Sequence, residues 1–337
     1  VFMPPGGGPV RGAQLETLDR IAHEKFVSDA IGALLEELRP LEESLDYHSD
    51  EASLIRVTRR DWDKARKVPA ELAAEMTRAA ADGHDVWAKA RQDSDFATFL
   101  PALERNVELK RRYIECFAPC DDPYDPLLDD YEPGMKTAEV HAVFDDLKRE
   151  LIPLIAEVAN GADDDFMRGP FDAGAQHELS LELVRRFCFE DDHFRLDRTV
   201  HPFAASSARN DIRLTNRYKE DDLTSLFTAM HECGHGLYEH GISETLERTP
   251  LCHGVSSALH ESQSRMWENV VGRSQPFWRW FYPRLQSAFP DALGGVELDR
   301  FYRAVNRVRP SYIRVDADEA TYNLHIILRF ELELEIV

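Results

Sequence analysis

The stretch that decides the fold is residues 221–241, DDLTSLFTAMHECGHGLYEHG, whose apolar period is that of an α-helix. Asp221 or Asp222 can cap its start, and Gly241 suits a left-handed stop at its end. At about 100° per residue, the apolar side chains share one stripe along this helix. The stripe comprises Leu223, Leu226, Phe227, Met230, Gly234 and Leu237. The sequence therefore predicts a helix that packs this stripe into a core.

Two histidines lie at the edge of that stripe, within His-Glu-Cys-Gly-His at 231–235. His231 and His235 are one helical turn apart, so their nitrogens can bind one tetrahedral zinc ion per chain, or another divalent metal such as cobalt. Glu232 lies close enough to activate a zinc-bound water without being a ligand. Cys233 points to the other side of the helix, so we expect a small buried residue there.

A catalytic zinc needs a third protein ligand, and the next helix offers two carboxylates. Residues 255–272, VSSALHESQSRMWENVVG, are predicted to form a second amphipathic helix. Its apolar side comprises Val255, Leu259, Met266 and Val270. A turn through 248–254 would lay the two helices antiparallel and bring Glu261 to the zinc. Glu268 is the competing ligand, but it lies two turns further along and should be displaced by roughly 10 Å. An exposed salt bridge is the alternative for either glutamate.

The rest of the chain carries the same helical period, so the predicted fold class is mainly α with a small β element. We expect one helix over 12–38, which Pro40 stops and which turns Leu15, Leu18, Ile21, Ala22 and Val27 inward. Further helical stretches are predicted at 51–92, 95–117, 136–159 and 175–189. Short strands are predicted within 194–218.

One catalytic domain is predicted to span 1–337, with a soft seam between two helical lobes at the proline-rich, acidic segment 118–134. The chain begins at Val1 rather than at a methionine and stops at Val337 within an apparent helix. We therefore expect the domain to be incomplete at both ends.

Composition argues against several classes of partner. The chain has 40 Lys plus Arg against 62 Asp plus Glu, a formal charge of −22, which repels nucleic-acid phosphates and anionic lipid. We therefore expect neither nucleic acid nor membrane as a partner, and no apolar run reaches the length of about eighteen residues that a membrane span needs. The five cysteines lack disulfide-framework or zinc-ribbon spacing, and no signal peptide is visible, so a cytoplasmic location is predicted. They are Cys116, Cys120, Cys188, Cys233 and Cys252.

Five motifs follow one another along the chain. They are HPF at 201–203, DIRLT at 211–215, HECGH at 231–235, HESQSRMWENVVGRS at 260–274 and IRVDADEATYNLH at 313–325. In these motifs and their order, the chain resembles the thermostable metallocarboxypeptidase family typified by carboxypeptidase Taq. The resemblance implies that His231, His235 and Glu261 bind the metal and that Glu232 is the general base. It also implies a helical, gluzincin-like metallopeptidase with a deep groove and a homodimeric assembly.

A carboxypeptidase must also recognise the terminal carboxylate of its substrate, which a planar guanidinium binds with two hydrogen bonds. Arg314 in IRVDAD is the preferred anchor and Arg213 in DIRLT the second candidate, each with an aspartate nearby that could orient it. A structural salt bridge is the alternative for both. Asp211 and Thr215 are predicted to support the zinc-binding histidines, whose second ring nitrogens usually have a polar partner.

The predicted function is therefore a zinc-dependent metallocarboxypeptidase that hydrolyses the C-terminal peptide bond of unstructured peptides. Two alternatives stay open at this point: a zinc endopeptidase or oligopeptidase with the same core, which needs no carboxylate-binding arginine, and a truncated inactive helical scaffold. The residue that stabilises the oxyanion also stays open. Its candidates are His253, His260, His325, Tyr312 and Tyr322.

Overall fold

A computed structural model describes residues 5–159, 164–187 and 190–337, and in these residues the chain is mainly helical, as predicted. The helices of its first half are α1 Gly8–Phe26, α2 Asp29–Ser44, α3 Asp50–Ala65, α4 Ala70–Asp93, α5 Phe96–Glu115, α6 Asp125–Asp129 and α7 Thr137–Val158. Those of its second half are α8 Ala173–Arg186, α9 Thr224–His240, α10 Ser257–Arg265, α11 Gln275–Ala288, α12 Pro290–Leu293, α13 Leu298–Val305 and α14 Glu319–Ile336. A π-helix over Met266–Val271 continues α10.

The chain forms two compact units. The first comprises Ala138–Arg248 and Cys252–Glu331, and it contains α8 to α13 with the small β-sheet. The second contains α1 to α6, together with Thr249–Leu251 and Leu332–Val337. The segment 118–134 lies in this second unit and includes α6. Cys188 and the predicted end of the helix at 175–189 lie outside the described residues.

The single helix predicted over 12–38 is wrong. Helices α1 and α2 are separate, because Ser28 between them has the extended backbone conformation, with ψ of 149°. Pro40 lies inside α2 instead of stopping it. Leu18 is 60% exposed and Ile21 is also exposed, so the expected inward face of this segment is wrong as well.

The small sheet confirms the strands predicted within 194–218. Its strands are β1 Phe194–Arg198, β2 Ala204–Ala208 and β3 Asp211–Asn216, in the order β1-β3-β2. The central strand β3 pairs parallel with β1 and antiparallel with β2. Leu196, Ile212 and Leu214 form the buried face and pack with Cys233 of α9. Cys233 is thus the small buried residue that was predicted, and β2 is left as the edge strand beside α9.

Four residues of the stripe predicted for α9 are buried in the main core of the first unit, and they are Leu223, Leu226, Phe227 and Met230. Leu226 and Met230 are fully buried there among aromatic side chains of α11 and α13, which include Trp278, Phe281 and Phe301. Leu237 is half-buried and packs against the cluster at the sheet.

Helix α9 begins at Thr224, and its N-cap is Leu223, which makes no side-chain capping hydrogen bond. Neither predicted aspartate is therefore the N-cap, although the Asp222 carboxylate accepts the Thr224 N–H at 2.9 Å. Gly241 has φ of −75°, so the left-handed stop expected at this residue is wrong. Among the described residues, no helix combines the length and the apolar character needed to cross a membrane.

Candidate active site

Helices α9 and α10 meet at backbone contact, and a glycine makes this possible. A Cβ at Gly234 would lie 2.6 Å from Ser264 Cα and 2.8 Å from the Gln263 carbonyl oxygen. Ser264 is fully buried at this crossing. Gly234 faces Ser264, and His231, three residues earlier on α9, contacts Glu268, four residues later in the chain. The two helices therefore run antiparallel, as predicted.

The apolar side predicted for the second helix is wrong, however. Its four side chains are between 37% and 70% exposed, and they are Val255, Leu259, Met266 and Val270. The buried side is the one that carries Ser264, because only a small residue fits where the helix backbone touches Gly234. This crossing, rather than apolar area, orients α10 and brings Glu261 to the histidines.

Replacing Gly234 by alanine should therefore disturb both stability and the site. The added methyl group meets helix backbone, which cannot rotate away as a side chain would, so we expect a loss of about 1–3 kcal/mol in the free energy of unfolding and weaker metal binding. Denaturant unfolding and a metal titration measure the two effects. Gly295→Ala is the matched control, because nothing lies within 4 Å of a Cβ at Gly295. Equal stability of the two variants would contradict this account of the crossing.

The three predicted metal ligands lie together. Glu261 Oε2 is 3.2 Å from His235 Nε2 and 3.7 Å from His231 Nε2, and all three donor atoms lie within 4.8 Å of one another. Each residue is partly exposed. An ion can therefore reach these atoms from solvent.

The other ring nitrogens of the two histidines have partners that the sequence prediction assigned differently. His231 Nδ1 lies 2.7 Å from Glu268 Oε2, and His235 Nδ1 lies 2.5 Å from His260 Nδ1. Glu268 reaches His231 because, in antiparallel packing, an earlier residue of α9 lies beside a later residue of the helical segment that follows it. Glu268 thus holds the outer nitrogen of His231 and does not face the convergent donor atoms.

Asp211 and Thr215, the predicted supports, have other contacts in the part of the chain that the structure describes. Asp211 accepts two hydrogen bonds from Arg213, at 2.8 and 2.7 Å. The Thr215 hydroxyl donates to the Phe203 carbonyl at 2.8 Å and accepts from the Phe203 N–H at 2.7 Å. These contacts stabilise strand β3 and its link to the segment before β2. The structure does not bring either residue to the histidines.

Arg265 is a site residue that the sequence reasoning missed. Its Nε donates to Glu261 Oε1 at 3.1 Å and its Nη1 to Glu268 Oε2 at 3.0 Å, while the guanidinium lies 3.9 Å from the Tyr322 ring centroid. Since Arg265 engages Oε1 of Glu261, the other oxygen is directed towards the histidines. The signal was the spacing of an arginine four residues after one glutamate and three before another.

Glu232 is buried beside the ligands, with only 6% of its surface exposed. Burial raises the pKa of Glu232 to about 7; the positive charge of His231 opposes this rise, and the negative charges of Glu261 and Glu268 add to it. By contrast, the hydrogen bond from His231 and the charge of Arg265 outweigh burial and lower the pKa of Glu268. Two carboxylates of one site therefore differ in basicity, and Glu232 is the one suited to exchange a proton near neutral pH.

The two predicted substrate anchors lie in different settings. Arg314 is partly buried, and its Nη1 donates to the Tyr322 hydroxyl at 2.8 Å. Because Arg265 lies over the ring of the same tyrosine and bonds to Glu261, Arg314 is linked to Glu261 through two intervening residues. Arg213 is exposed on β3 and directs its guanidinium to Asp211. Asp318 was expected to help orient Arg314. Its carboxylate instead caps α14 by accepting from backbone N–H groups.

The side chain of Asp316, the other aspartate predicted to orient Arg314, lies outside the described residues.

Among the predicted oxyanion donors, His260 is engaged with His235, Tyr322 accepts from Arg314, and Tyr312 is fully exposed. A cavity lies beside His235 and along strand β2. Its lining comprises Ala204, Ala205, Ser206, Ile212, His235, Gly236, Glu239, His253 and His260.

The chemistry of the donor set tests whether a metal fits here. The Glu268 carboxylate can only accept, so His231 donates from Nδ1, and the neutral form of this imidazole has on Nε2 the lone pair that binds a metal. His235 likewise turns Nδ1 to a partner and Nε2 towards Glu261. When both imidazoles are neutral, the two nitrogens and the carboxylate oxygen converge as electron-pair donors, and a cation between them stabilises this arrangement. The residues therefore fit a divalent metal, and this donor set on a helix, with a glutamate beside it, is typical of metallopeptidases.

Comparison with known proteins agrees with that class. The family description carboxypeptidase Taq (M32) metallopeptidase matches residues 1–337. Thermostable carboxypeptidase 1 of Thermus thermophilus is 39% identical over 348 residues, which cover 99% of this chain and 68% of the relative. Carboxypeptidase 1 of Bacillus subtilis is 37% identical and covers 98% and 67%. The solved structure of M32 carboxypeptidase from Deinococcus radiodurans R1 is 37% identical, with a TM-score of 0.86 and coverage of 99% and 67%.

The chain belongs to the carboxypeptidase Taq (M32) family of metallopeptidases, and it spans about two thirds of the length of these relatives. The resemblance seen in the sequence is confirmed, and so are the mainly helical metallopeptidase fold and the activity of a metallocarboxypeptidase. The chain is thus a peptide hydrolase whose family implies a divalent metal.

Proposed function

We propose that His231, His235 and Glu261 hold one zinc ion and that Glu232 is the general base for removal of C-terminal residues from peptides. The observation that carries this proposal is the convergence of two imidazole nitrogens and one carboxylate oxygen within 4.8 Å of one another. Two nitrogens and one oxygen are a common ligand set of catalytic zinc sites, which keep a further position open.

The protein residues divide the work between them. When bound, zinc lowers the pKa of a water molecule and polarises the scissile carbonyl. Glu232 accepts the proton from the attacking water and passes it to the leaving amine, a role that its buried carboxylate beside the ligands supports. Arg265 and Glu268 keep Glu261 and His231 in position through their hydrogen bonds.

Arg314 is proposed to bind the terminal carboxylate of the substrate. Its hydrogen bond to Tyr322 holds the guanidinium on the side of the site where Arg265 contacts Glu261. The chain carries a formal charge of −22, so an anionic peptide end needs a local cation to bind. Arg213 suits this role less well, because its guanidinium already pairs with Asp211.

Arg314→Lys should raise KM for a free-acid peptide by about tenfold or more, because an ammonium cannot form the two-pronged contact. Loss of orientation should also reduce kcat, while zinc content stays unchanged. The measurement compares an N-blocked free-acid peptide with its C-terminal amide, for wild type and variant. Equal cleavage of acid and amide by the wild type would favour the endopeptidase alternative. An unchanged preference in the variant would move the anchor to Arg213.

Assembly and location complete the proposal. We propose a homodimer, which the family resemblance supports and which light scattering tests. We also propose a cytoplasmic protein with peptide substrates; Cys116, Cys120 and Cys252 are free thiols, which suits a reducing compartment.

A further inference from the structure

We propose that His260 and Glu239 act together as positioning residues for His235, in a relay that runs from a carboxylate through one imidazole to the next. The contacts are His260 Nε2 to Glu239 Oε1 at 2.7 Å and His260 Nδ1 to His235 Nδ1 at 2.5 Å. This inference rests on the proposed role of His235 as a metal ligand. It assigns His260 to orientation of that ligand, although the sequence offered this residue as an oxyanion donor.

The Glu239 carboxylate, at the outer end of the relay, determines which ring nitrogens carry hydrogens. The Glu239 carboxylate can only accept, so His260 carries a hydrogen on Nε2 and donates it. A neutral His260 then has a lone pair on Nδ1 and accepts there. His235 must therefore carry its hydrogen on Nδ1, which leaves a lone pair on Nε2, the nitrogen that lies 3.2 Å from Glu261 Oε2. The relay selects the one neutral tautomer of His235 that can bind a metal through Nε2.

Packing holds the His260 ring in the orientation that this relay needs. The ring of Tyr238 packs beside it, with a centroid distance of 4.8 Å. A Cβ at Gly254 would lie 2.5 Å from His260 Cδ2, so the backbone of the preceding loop also touches the ring. Because these neighbours restrict rotation of the imidazole, both of its nitrogens stay aimed at their partners.

The charge of Glu239 gives the relay an electronic effect as well as an orienting one. Its side chain is largely buried, and the hydrogen bond from His260 lowers the pKa of Glu239. A carboxylate hydrogen-bonded to an imidazole increases the electron density on the opposite nitrogen. That nitrogen accepts from His235, so the effect passes to the nitrogen that faces Glu261. His231 has a direct carboxylate partner in Glu268, whereas His235 obtains the same support through one additional ring.

The first experiment measures zinc affinity by competition with a chelator, in variants of the full chain. His260→Ala and Glu239→Ala should each weaken zinc binding by about 10- to 100-fold, the usual effect of losing an orienting partner. His260→Asn should restore part of the affinity, because its amide oxygen can accept near the position of Nδ1. His177→Ala, which removes a partly buried ring bonded to the Tyr218 hydroxyl, is the matched control and should leave affinity unchanged.

A second readout reports the relay directly and does not depend on activity. In the zinc-loaded chain labelled with ¹⁵N-histidine, a nitrogen–nitrogen coupling across the hydrogen bond should link the Nδ1 atoms of His235 and His260. This coupling should be absent in His260→Asn even though that variant binds zinc. No such coupling in the wild type would overturn the hydrogen bond between the two Nδ1 atoms, and with it the relay.

The outcomes separate this inference from the proposed function. Loss of zinc in His235→Ala, together with affinities within twofold of wild type for His260→Ala and Glu239→Ala, would overturn the relay alone. Unchanged zinc affinity in His235→Ala would overturn the proposed metal site itself. A loss in His260→Ala without one in Glu239→Ala would remove Glu239 from the relay.

Discussion

Glu232→Gln is expected to lower kcat by about 10²–10⁴-fold while zinc stays bound, which is the loss expected when a general base is removed. The amide keeps the size and the buried position of the side chain, but it cannot accept a proton from water. Turnover of a free-acid peptide and elemental analysis of the same preparation measure the two quantities.

The control for this variant is Glu244→Gln, which makes the same chemical change at an exposed residue between α9 and α10. It should keep wild-type turnover. If Glu232→Gln retained more than a small fraction of wild-type kcat, another group would have to be the base. If it lost zinc instead, Glu232 would be part of the metal shell.

Glu261→Ala is expected to bind zinc more weakly than wild type by more than the 10- to 100-fold typical of an orienting partner. The reason is geometric: Glu261 Oε2 faces the Nε2 atoms of both histidines, whereas Glu268 Oε2 lies on the outer nitrogen of His231. Glu268→Ala is the matched comparison, because it removes a carboxylate from the same helical segment. It should lose affinity only within the orienting range. A larger loss in Glu268→Ala than in Glu261→Ala would exchange the two roles.

Helix α9 and its pair of histidines were predictable because one segment contains all the information needed. Its apolar stripe is long, and the residues that the helical period places on one face, such as Leu226 and Met230, are the ones that the core buries. The small sheet was predictable for a similar reason, since its strands lie between helices with a different period. In both cases local patterning and tertiary packing agree.

Helix α10 shows where periodicity stops being informative. The contact of Gly234 with the backbone at Ser264 decides which side of α10 is buried, and a glycine opposite a serine leaves no apolar signal. The roles of Glu268, His260 and Arg265 depend on that crossing, so they could not be assigned from spacing along one helix. The break at Ser28 was missed for another reason: two residues interrupt a helix without changing the apolar period on either side.

The most direct test of the proposed metal site is anomalous diffraction at the zinc edge from crystals of the zinc-loaded chain. We expect one strong peak per chain, at about 2.0–2.2 Å from His231 Nε2, His235 Nε2 and Glu261 Oε2, with Arg265 still bonded to the other oxygen of Glu261. A peak bonded to Glu268 or to His260, or a second strong peak beside the first, would contradict the account.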